Sequence, residues 1–533
     1  MKADCLDDLG ARSGRATGPP QVLREAGFFA APASGSGPQE PVSGIWKSPA
    51  RNGNVAQRES GLNVVFFANG LVLGLLALMS ATVALFYPET RGVFAEATFQ
   101  LGLTGTLIAV ASRSSFEALR LPHAFMLTAS VWLVAAIGGA VPLYLWKLSA
   151  ADAFFEAMSG ITTTGSTVMT GLDGTPKGIL MWRALLQALG GVGFIGTGIA
   201  LLPVLKVGGM QLFRTESSDK GEKELRNATQ FAAATLLVYV SLMTLCGVLY
   251  RAGGMSLFDA VTHAMTTLST GGYSTHDASF GFFANPFLQW TCTLFMVLGS
   301  VPFSWYIRSV YHGKFRSEQV GAMLKTLAAV ILPLSLWLGL TSDMPFLAAL
   351  RLVAFNVVSV VSTTGYATTD YTTWGPVAVC SFVILTAVGG CTGSTAGGAK
   401  AMRWVIVYRL VREGIRSVRY PHGVYRIRYE GRVIDEDIVS SVIGFFSMYA
   451  LSFAVIASLL TLVGLDGATA LSGAITALAN VGPGVGDIIG PAGTFQPLSD
   501  KAKTILAIGM YLGRLEMLTV LVLLTPRFWR SLA

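Results

Sequence analysis

The sequence predicts an all-α polytopic membrane protein in which a unit of span, short helix, loop and span recurs four times, after two additional transmembrane helices. Three observations predict it: the composition, the recurrence of apolar segments and four registered loops. Of the 533 residues, 52% are apolar and 13% are Asp, Glu, Lys or Arg, whereas soluble domains carry about a quarter charged residues. With a mean hydropathy of +0.57, a soluble multi-domain enzyme is excluded.

Apolar stretches of about 20 residues, enough to cross about 30 Å of hydrocarbon, recur from Leu62 onward. Ten spans place both termini on one side, and the eighth is too long and is interrupted. Residues 1–60, rich in Gly, Ala, Pro and Ser, predict a mobile cytoplasmic extension. The spans lie near 62–86, 95–112, 121–146, 180–205, 228–250, 285–307, 321–341, 375–408, 436–463 and 501–526.

The charges between the spans give an orientation. The loops after odd-numbered spans hold four basic and eleven acidic residues, whereas the windows 205–226, 306–325 and 400–432 hold five, four and nine basic residues. The positive-inside rule therefore predicts that both termini are cytoplasmic. The acidic outer face is expected to concentrate cations. Basic residues that cluster between apolar segments indicate topology, so nucleic acid is not expected as a partner.

Four outer loops contain a helix-length stretch that ends in small hydroxylated residues and glycine. The first two stretches begin Asp152-Ala-Phe-Phe-Glu-Ala-Met and Asp259-Ala-Val-Thr-His-Ala-Met, at a constant offset of 107 residues. Ten to twelve helical residues reach only about 15–18 Å, so these helices dip into the membrane and return. The four stretches end in Thr162-Thr163-Thr164-Gly165, Ser269-Thr270-Gly271-Gly272, Ser362-Thr363-Thr364-Gly365 and Ala479-Asn480-Val481-Gly482.

Loops of this kind, converging on one axis, predict a cation path. Backbone carbonyls in a ring replace the hydration shell of a cation, and Thr or Ser hydroxyls can add oxygens. Glycine allows the backbone turns that point carbonyls inward. A single such loop would more simply be an external turn, but four in register favour the ring. The predicted ion ligands are Thr163, Thr164, Gly165, Thr270, Gly271, Gly272, Thr363, Thr364, Gly365, Asn480, Val481 and Gly482.

The interruption of the eighth span predicts an intramembrane loop at 389–399. Five glycines in these eleven residues each cost about 1 kcal/mol of helix propensity. The alternative is a small-residue packing face between helices. In the functional interpretation the loop obstructs the path below the ring. The predicted gating residues are Gly389, Gly390, Thr392, Gly393, Ser394, Thr395, Gly397, Gly398, Lys400 and Arg514.

Arg514 and Glu516 lie within the tenth apolar span. A charge at a helix centre costs about 2.5–3.5 kcal/mol and is expected to face a polar interior. Arg514 is interpreted as an electrostatic barrier on the path, with a structural ion pair to another helix as the alternative. Glu516 is expected to have a structural role.

Other signals are weaker. Gly191-Val-Gly193-Phe-Ile-Gly196 satisfies a nucleotide-binding pattern but lies inside a span. His263 and His276 are expected to pack or to lie at the surface and not to bind metal. No Ser/His/Asp or paired-carboxylate arrangement stands out, so the chain is not expected to be an enzyme.

These motifs resemble the Trk/Ktr/HKT superfamily of cation transporters, and within it the TrkH-like membrane subunits of bacterial Trk potassium uptake. The resemblance covers roughly 62–533 and rests on DAFFEAMSGITTTGS (152–166), GGYSTHDAS (271–279), GGCTGSTAGGAK (389–400), NVGPGVG (480–486) and GRLEMLTVLVLLTPRFW (513–529). It implies a selectivity filter at the four loops, a gating loop at 389–399, and uptake of K+ driven by membrane potential. Serine at the first filter glycine goes with sodium transport in this superfamily, so glycine in all four loops favours potassium. A sodium-coupled or sodium-preferring transporter of the same fold is the alternative.

The resemblance also implies partners and a location. It implies a homodimer in the cell inner membrane, in contact with membrane lipid, and a TrkA-like cytoplasmic nucleotide-binding ring that controls opening. No organic cofactor is expected on this chain. The expected organisation is an extension at 1–60, two additional helices at 61–118, and pore repeats at 119–226, 227–319, 320–432 and 433–533, the third of which contains the gating loop.

Overall fold

Helices account for most of the chain in the computed structural model, which describes residues 51–113, 121–200, 228–423 and 425–532. A two-stranded antiparallel hairpin, β1 (Arg428–Tyr429) and β2 (Arg432–Val433), follows the helix Ala401–Arg419. The helices are α1 (Arg51–Phe86), α2 (Arg91–Ala111), α3 (Leu121–Trp146), α4 (Ala150–Ile161), α5 (Lys177–Ala200), α6 (Ala228–Ala252), α7 (Leu257–Leu268), α8 (Pro286–Gly299), α9 (Phe303–His312), α10 (Glu318–Thr341), α11 (Phe346–Val361), α12 (Pro376–Thr386), α13 (Ala401–Arg419), α14 (Glu436–Leu462), α15 (Gly467–Ala479), α16 (Asp500–Arg514), α17 (Leu518–Leu521) and α18 (Pro526–Leu532).

Within these residues, six helices are long and apolar enough to cross a membrane: most of α1, α2 with the turn before it, α3, most of α6, α10 and α14. Two further pairs satisfy the same criteria when taken together, and both are bent: α8 and α9 meet at 87°, and the segments 500–514 and 518–524 meet at 103°. The predicted class, a polytopic all-α membrane fold, is therefore confirmed.

The helix breaks differ in part from the sequence expectation. The eighth predicted span is interrupted as expected, because residues 387–400 separate α12 from α13. The sixth and tenth predicted spans are also broken, at 300–302 and at 515–517. Helix α1 begins at Arg51, so 51–60, assigned from the sequence to the extension, is helical. Residues 1–50, 114–120 and the basic window 205–226 lie outside the described residues.

The helices pack in a cyclic order. In each unit the first long helix contacts the short helix that follows it: α3 with α4, α6 with α7, α10 with α11, and α14 with α15. The helix after each loop contacts the short helix of the next unit: α5 with α7, α8 with α11, and α12 with α15. The last contact, α16 with α4, closes the circle. Small residues permit the close approach: a Cβ on Gly160 of α4 would lie 3.1 Å from the Cβ of Leu186.

Candidate functional site

The four short helices α4, α7, α11 and α15 end directly at the four glycine loops. Three of them have a side-chain N-cap, because Ser149, Ser256 and Asp466 accept hydrogen bonds of 3.0–3.1 Å from the backbone three residues later. A helix carries partial negative charge at its carboxyl end. The four loops therefore lie in a field that favours a cation.

The four loops have the same backbone conformation. One residue has a left-handed φ in each loop: Thr163 (53°), Thr270 (53°), Thr363 (59°) and Asn480 (54°). Two residues later a glycine does the same: Gly165 (88°), Gly272 (71°), Gly365 (82°) and Gly482 (106°). The N–H between them donates to a carbonyl five residues back: Thr164 to Ser159 (2.8 Å), Gly271 to Thr266 (2.9 Å), Thr364 to Ser359 (2.8 Å) and Val481 to Thr476 (3.1 Å). Left-handed non-glycine residues cost about 1–3 kcal/mol each and concentrate at functional sites.

The loops close into a ring. A Cβ on Gly165 would overlap the carbonyl oxygen of Gly271, and one on Gly272 would overlap that of Thr364. A Cβ on Gly365 would overlap the carbonyl oxygen of Val481. The ring closes at Gly482, whose Cβ would lie 2.9 Å from the carbonyl oxygen of Thr164. All four glycines also line one cavity.

The predicted ligands therefore lie together, but several of their hydroxyls already have partners. The Thr164 hydroxyl bonds that of Thr162 at 2.8 Å and accepts from the Asn480 side-chain amide at 3.0 Å. The Thr364 hydroxyl bonds that of Ser362 at 2.7 Å. These hydrogen bonds connect side chains of the loops with one another. Because the hydroxyls are used in this way, the backbone carbonyls are the oxygens that the ring can offer to a cation.

The predicted intramembrane loop lies against the ends of the short helices. The Thr395 hydroxyl donates to the carbonyl of Leu268, the last residue of α7, at 3.0 Å. The Gly397 N–H donates to the Thr363 hydroxyl at 2.6 Å. A Cβ on Gly397 would lie 2.5 Å from the Ala479 carbonyl oxygen. The loop thus contacts the second, third and fourth loops at their bases.

Polar contacts hold this loop in place. Gln319 of α10 accepts from the Thr392 N–H at 2.9 Å and donates to the Thr392 carbonyl at 3.4 Å. The break after α8 binds it too, because Ser300 accepts from Cys391 and Phe303 donates to the Gly393 carbonyl, each at 3.0 Å. Within the loop and the start of α13, the Ser394 hydroxyl donates to the Cys391 carbonyl (2.7 Å), the Ala401 N–H to the Gly390 carbonyl (2.8 Å) and the Lys400 ammonium to the Ala396 carbonyl. Left-handed φ values occur at Gly389, Gly393, Gly398 and Lys400.

Arg514 joins the loop to the helix behind the first glycine loop. Its guanidinium donates to the Thr395 carbonyl at 2.9 Å and to the Gly190 carbonyl at 3.2 Å. A Cβ on Gly190 would overlap the carbonyl of Ile161, where α4 ends. The loop thus contacts the ends of three short helices, and Arg514 connects it to the end of the fourth, α4, through Gly190 of α5.

Glu516 lies at the 515–517 break and pairs with Arg403 of α13 at 2.5 Å, where the Glu516 carboxylate and the Arg403 guanidinium are buried. Glu516 (58°) and Met517 (50°) both have left-handed φ. The structure thus gives an ion pair between helices to Glu516, whereas Arg514 donates hydrogen bonds to carbonyls on the loop and on α5.

Sequence analysis did not identify Arg183 and Glu156 as site residues. Arg183 of α5 pairs with Glu156 of α4 at 2.8 Å and donates to the Ser274 carbonyl at 3.1 Å. Glu156 also accepts from the Val168 N–H at 2.9 Å. The pair therefore ties the segment after the first loop to the segment after the second. An arginine inside an apolar span was the available signal.

The two histidines lie near the second loop. Buried His263 bonds the Asp259 carbonyl at 2.9 Å and the Ser274 hydroxyl at 3.0 Å. His276, in the loop outside the ring, contacts Asp173 at 2.5 Å and Asp259 at 3.6 Å. Burial opposes protonation of His276, but the contacts and charges of Asp259 and Asp173 outweigh it and raise its pKa above the ordinary value. Among the described residues, no group of three or more His, Cys, Asp or Glu side chains could hold a metal ion.

The fold and the ring define a multi-pass membrane transport protein. The profile of the TrkH family, described as cation transport protein, matches residues 91–334 and 339–531. The chain therefore belongs to the TrkH family, and the resemblance inferred from its motifs is confirmed.

Named relatives extend over most of the chain. It is 48% identical over 413 residues to the Trk system potassium uptake protein TrkI of Halomonas elongata, covering 76% of this chain and 84% of TrkI. It is 36% identical to TrkH of the same organism, covering 86% of this chain and 98% of the relative. The crystal structure of the potassium transporter TrkH from Vibrio parahaemolyticus superposes with a TM-score of 0.81 at 31% identity, covering 88% of this chain and 100% of that one.

Proposed function

We propose that this protein takes up potassium through a gated, cation-selective transmembrane pore. K+ enters at the cavity above the ring, passes the four loops and is drawn inward by the membrane potential. The observation that carries the proposal is the ring itself, with one conformation repeated at four loops around a single cavity. The relatives named as potassium uptake proteins support K+ as the ion.

Selection follows from the carbonyl ring. A cation that enters gives up its water shell, and ring carbonyls and the helix carboxyl ends replace it. The φ of Gly165, Gly272, Gly365 and Gly482 is strained for any side chain, and a Cβ on the first three would overlap a carbonyl of the next loop. Glycine in all four loops thus keeps the four sets of carbonyls equivalent around the ring. In this family, four glycines favour potassium over sodium.

The gate consists of the loop at 389–399 with Lys400 and Arg514. The loop crosses under three of the four loops, and Arg514 places a positive charge at its Thr395 carbonyl. A unit charge about 6 Å away, at an effective dielectric near 20, repels a cation by about 3 kcal/mol. Opening therefore requires both the loop and the Arg514 charge to move from the path.

Regulation is assigned to a TrkA-like cytoplasmic ring on a homodimer in the inner membrane, with both termini cytoplasmic. Helix α13 carries exposed Arg412, Arg416 and Arg419 beyond the gating loop. Movement of α13 by a bound partner would pull on the loop that precedes it. The windows 306–325 and 400–432, with 205–226, form the proposed contact, which salt should weaken.

The experiment is ion flux into proteoliposomes that contain the purified chain, with an imposed potential and with K+, Rb+ or Na+ outside. Saturable Rb+ and K+ uptake that exceeds Na+ uptake, and that follows the potential, supports the proposal. Uptake that favours Na+, or that requires a Na+ gradient, would support the sodium-coupled or sodium-preferring alternative. No ion-specific uptake, with or without the nucleotide-binding partner, would refute both.

A further inference from the structure

Gln187, a buried residue of α5, contacts the second loop of the ring from behind. Its side-chain nitrogen donates to the Gly271 carbonyl at 2.6 Å, and its side-chain oxygen accepts from the Tyr273 N–H at 3.1 Å. The second bond fixes the orientation of the amide, because a backbone N–H can only donate. Gln187 thus bridges both sides of Gly272 across more than eighty residues of sequence.

Gly271 is a glycine because there is no room for a side chain, unlike at the equivalent position of the other three loops. Thr164, Thr364 and Val481 occupy the equivalent position in the other loops and carry β-branched side chains. Gly271 is not among the residues with left-handed φ, so its backbone does not require glycine. A Cβ on Gly271 would instead overlap the side-chain amide of Gln187.

Loops with threonine at this position and the loop with glycine are held in place by different hydrogen bonds. In the first and third loops a threonine hydroxyl at this position bonds a neighbouring hydroxyl of the same loop, at 2.8 and 2.7 Å. The second loop has no hydroxyl there, and the brace comes from α5 in the preceding unit. One turn earlier on the same helix face, Arg183 donates to the Ser274 carbonyl at 3.1 Å.

We infer that Gln187 is a positioning residue for ion selection, which holds the Gly271 carbonyl at its place in the ring. The inference rests on the proposed function, because it assigns a role within that filter. A carbonyl oxygen has two lone pairs, so one accepts from Gln187 while the other stays available to the ion. The Gly271 oxygen also lies against Gly165 of the first loop, so a shift of this carbonyl disturbs two of the four loops.

The test is a cycle of three variants, scored as the ratio of Rb+ to Na+ uptake in proteoliposomes. This ratio does not depend on how much protein is inserted. Gln187→Ala removes the brace and should lower the ratio about tenfold, as expected for losing a buried hydrogen bond. Gly271→Thr alone should also lower it, because the new side chain meets the Gln187 amide. The double variant gives the second loop the Ser-Thr-Thr-Gly sequence of the third loop and should recover the ratio to within about threefold of wild type.

Gln289→Ala is the matched control, because Gln289 is also a buried glutamine but donates to the Phe283 carbonyl, outside the ring, at 3.1 Å. It should leave the ratio unchanged. If Gln187→Ala does not insert, Gln187→Met keeps most of the volume but has no donor for the Gly271 carbonyl, and it should show the same fall.

A wild-type ratio in Gln187→Ala or in Gly271→Thr would overturn the inference, as would a double variant no better than Gln187→Ala. These results leave the proposed function intact if the wild type prefers Rb+. A wild type that does not prefer Rb+ over Na+ refutes the proposed function instead. In that case the inference about Gln187 is still overturned if Gln187→Ala leaves the wild-type ratio of Rb+ to Na+ uptake unchanged.

Discussion

The ring of four loops and the helix region beneath it follow opposite rules. In the ring, each unit repeats the same two left-handed residues and the same hydrogen bond, with lengths between 2.8 and 3.1 Å. Beneath it, the four helices that follow the loops are all different. Helix α5 runs unbroken to Ala200, the next bends by 87°, the third is interrupted by 387–400, and the fourth bends by 103°.

Under the proposed function, this difference corresponds to two tasks, ion selection in the ring and gating beneath it. A spherical cation is best surrounded by equivalent oxygens, so a filter gains from repetition. A gate needs one movable obstacle, and four equal obstacles would have to move together. The proposed obstacle, the loop at 389–399, lies in the third unit, and the second and fourth units hold it through Ser300 and Arg514.

The largest expected effect is on ion selectivity, when a substitution makes one of the four loops different from the others. Gly272→Ser places a Cβ at a φ of 71°, where it overlaps the Thr364 carbonyl. Displacing carbonyls of two adjacent loops should cost about 2–3 kcal/mol of differential ion binding, which is about a hundredfold in K+ over Na+ preference. The measurement is the ratio of Rb+ to Na+ uptake, and Gly165→Ser should behave alike.

Gly444→Ser is the control for this comparison, because Gly444 lies in α14 and a Cβ there meets nothing within 4 Å. It should keep the wild-type ratio. If both filter variants are well expressed and retain full selectivity, selection takes place elsewhere in the chain.

Much of the fold could be predicted from the sequence, because membrane thickness fixes the length of apolar segments. The predicted spans at 121–146 and 436–463 match α3 (Leu121–Trp146) and α14 (Glu436–Leu462) closely. The break at 515–517 could not be predicted, because Glu516 and Met517 have no local preference for left-handed φ. Packing imposes it, and Arg403 pairs with Glu516 from another helix.

The candidate site was predicted in part. The four glycines of the ring have φ values that favour glycine, so a sequence pattern reveals them. Gly271 is glycine because of Gln187, and the role of Arg183 depends on Glu156 and Ser274. Such contacts join residues far apart in sequence, so a local pattern shows only that a polar residue lies in an apolar span.

The second prediction concerns the region beneath the ring. Arg514→Ala removes a positive charge, the hydrogen bond to the loop at Thr395 and the hydrogen bond to Gly190 of α5, whereas the ring above is untouched. Basal Rb+ uptake without the partner should rise about tenfold, less than the full Coulomb barrier, because the loop remains. A short deletion within Thr392–Gly397 should also raise it. The ratio of Rb+ to Na+ uptake should change much less than in Gly272→Ser.

Arg251→Ala serves as the control, since Arg251 is an exposed arginine at the end of α6. It should leave basal uptake at the wild-type value. Folded and inserted Arg514→Ala and deletion variants with unchanged or lower basal uptake would contradict the gate. The loop would then be a packing surface and Arg514 a structural residue.

The smallest expected effect lies outside the ring, at His276. Its pKa is raised by Asp259 and Asp173, which face it from α7 and from the turn at 172–174. Asp277, the next residue in the chain, and His263 of α7 are also titratable and lie close to it. As external pH rises through this raised pKa, His276 becomes neutral and the mouth gains one net negative charge. Such a charge, about 8 Å from the path in a water-like dielectric, is worth about 0.5 kcal/mol and should raise subsaturating Rb+ uptake about twofold.

Stability should change in the opposite direction over the same pH range. A raised folded-state pKa means that the contribution of His276 is fully present below its unfolded pKa, near 6.5, and is lost as pH rises through the folded value. The measurement varies external pH at constant internal pH and records uptake and melting temperature. His276→Gln should remove both steps, because glutamine does not titrate and leaves the two aspartates charged at every pH tested. If His276→Gln retains the wild-type pH profile, the pH-dependent step comes from another group. His276, which follows the second loop, would then have no effect on uptake through the ring.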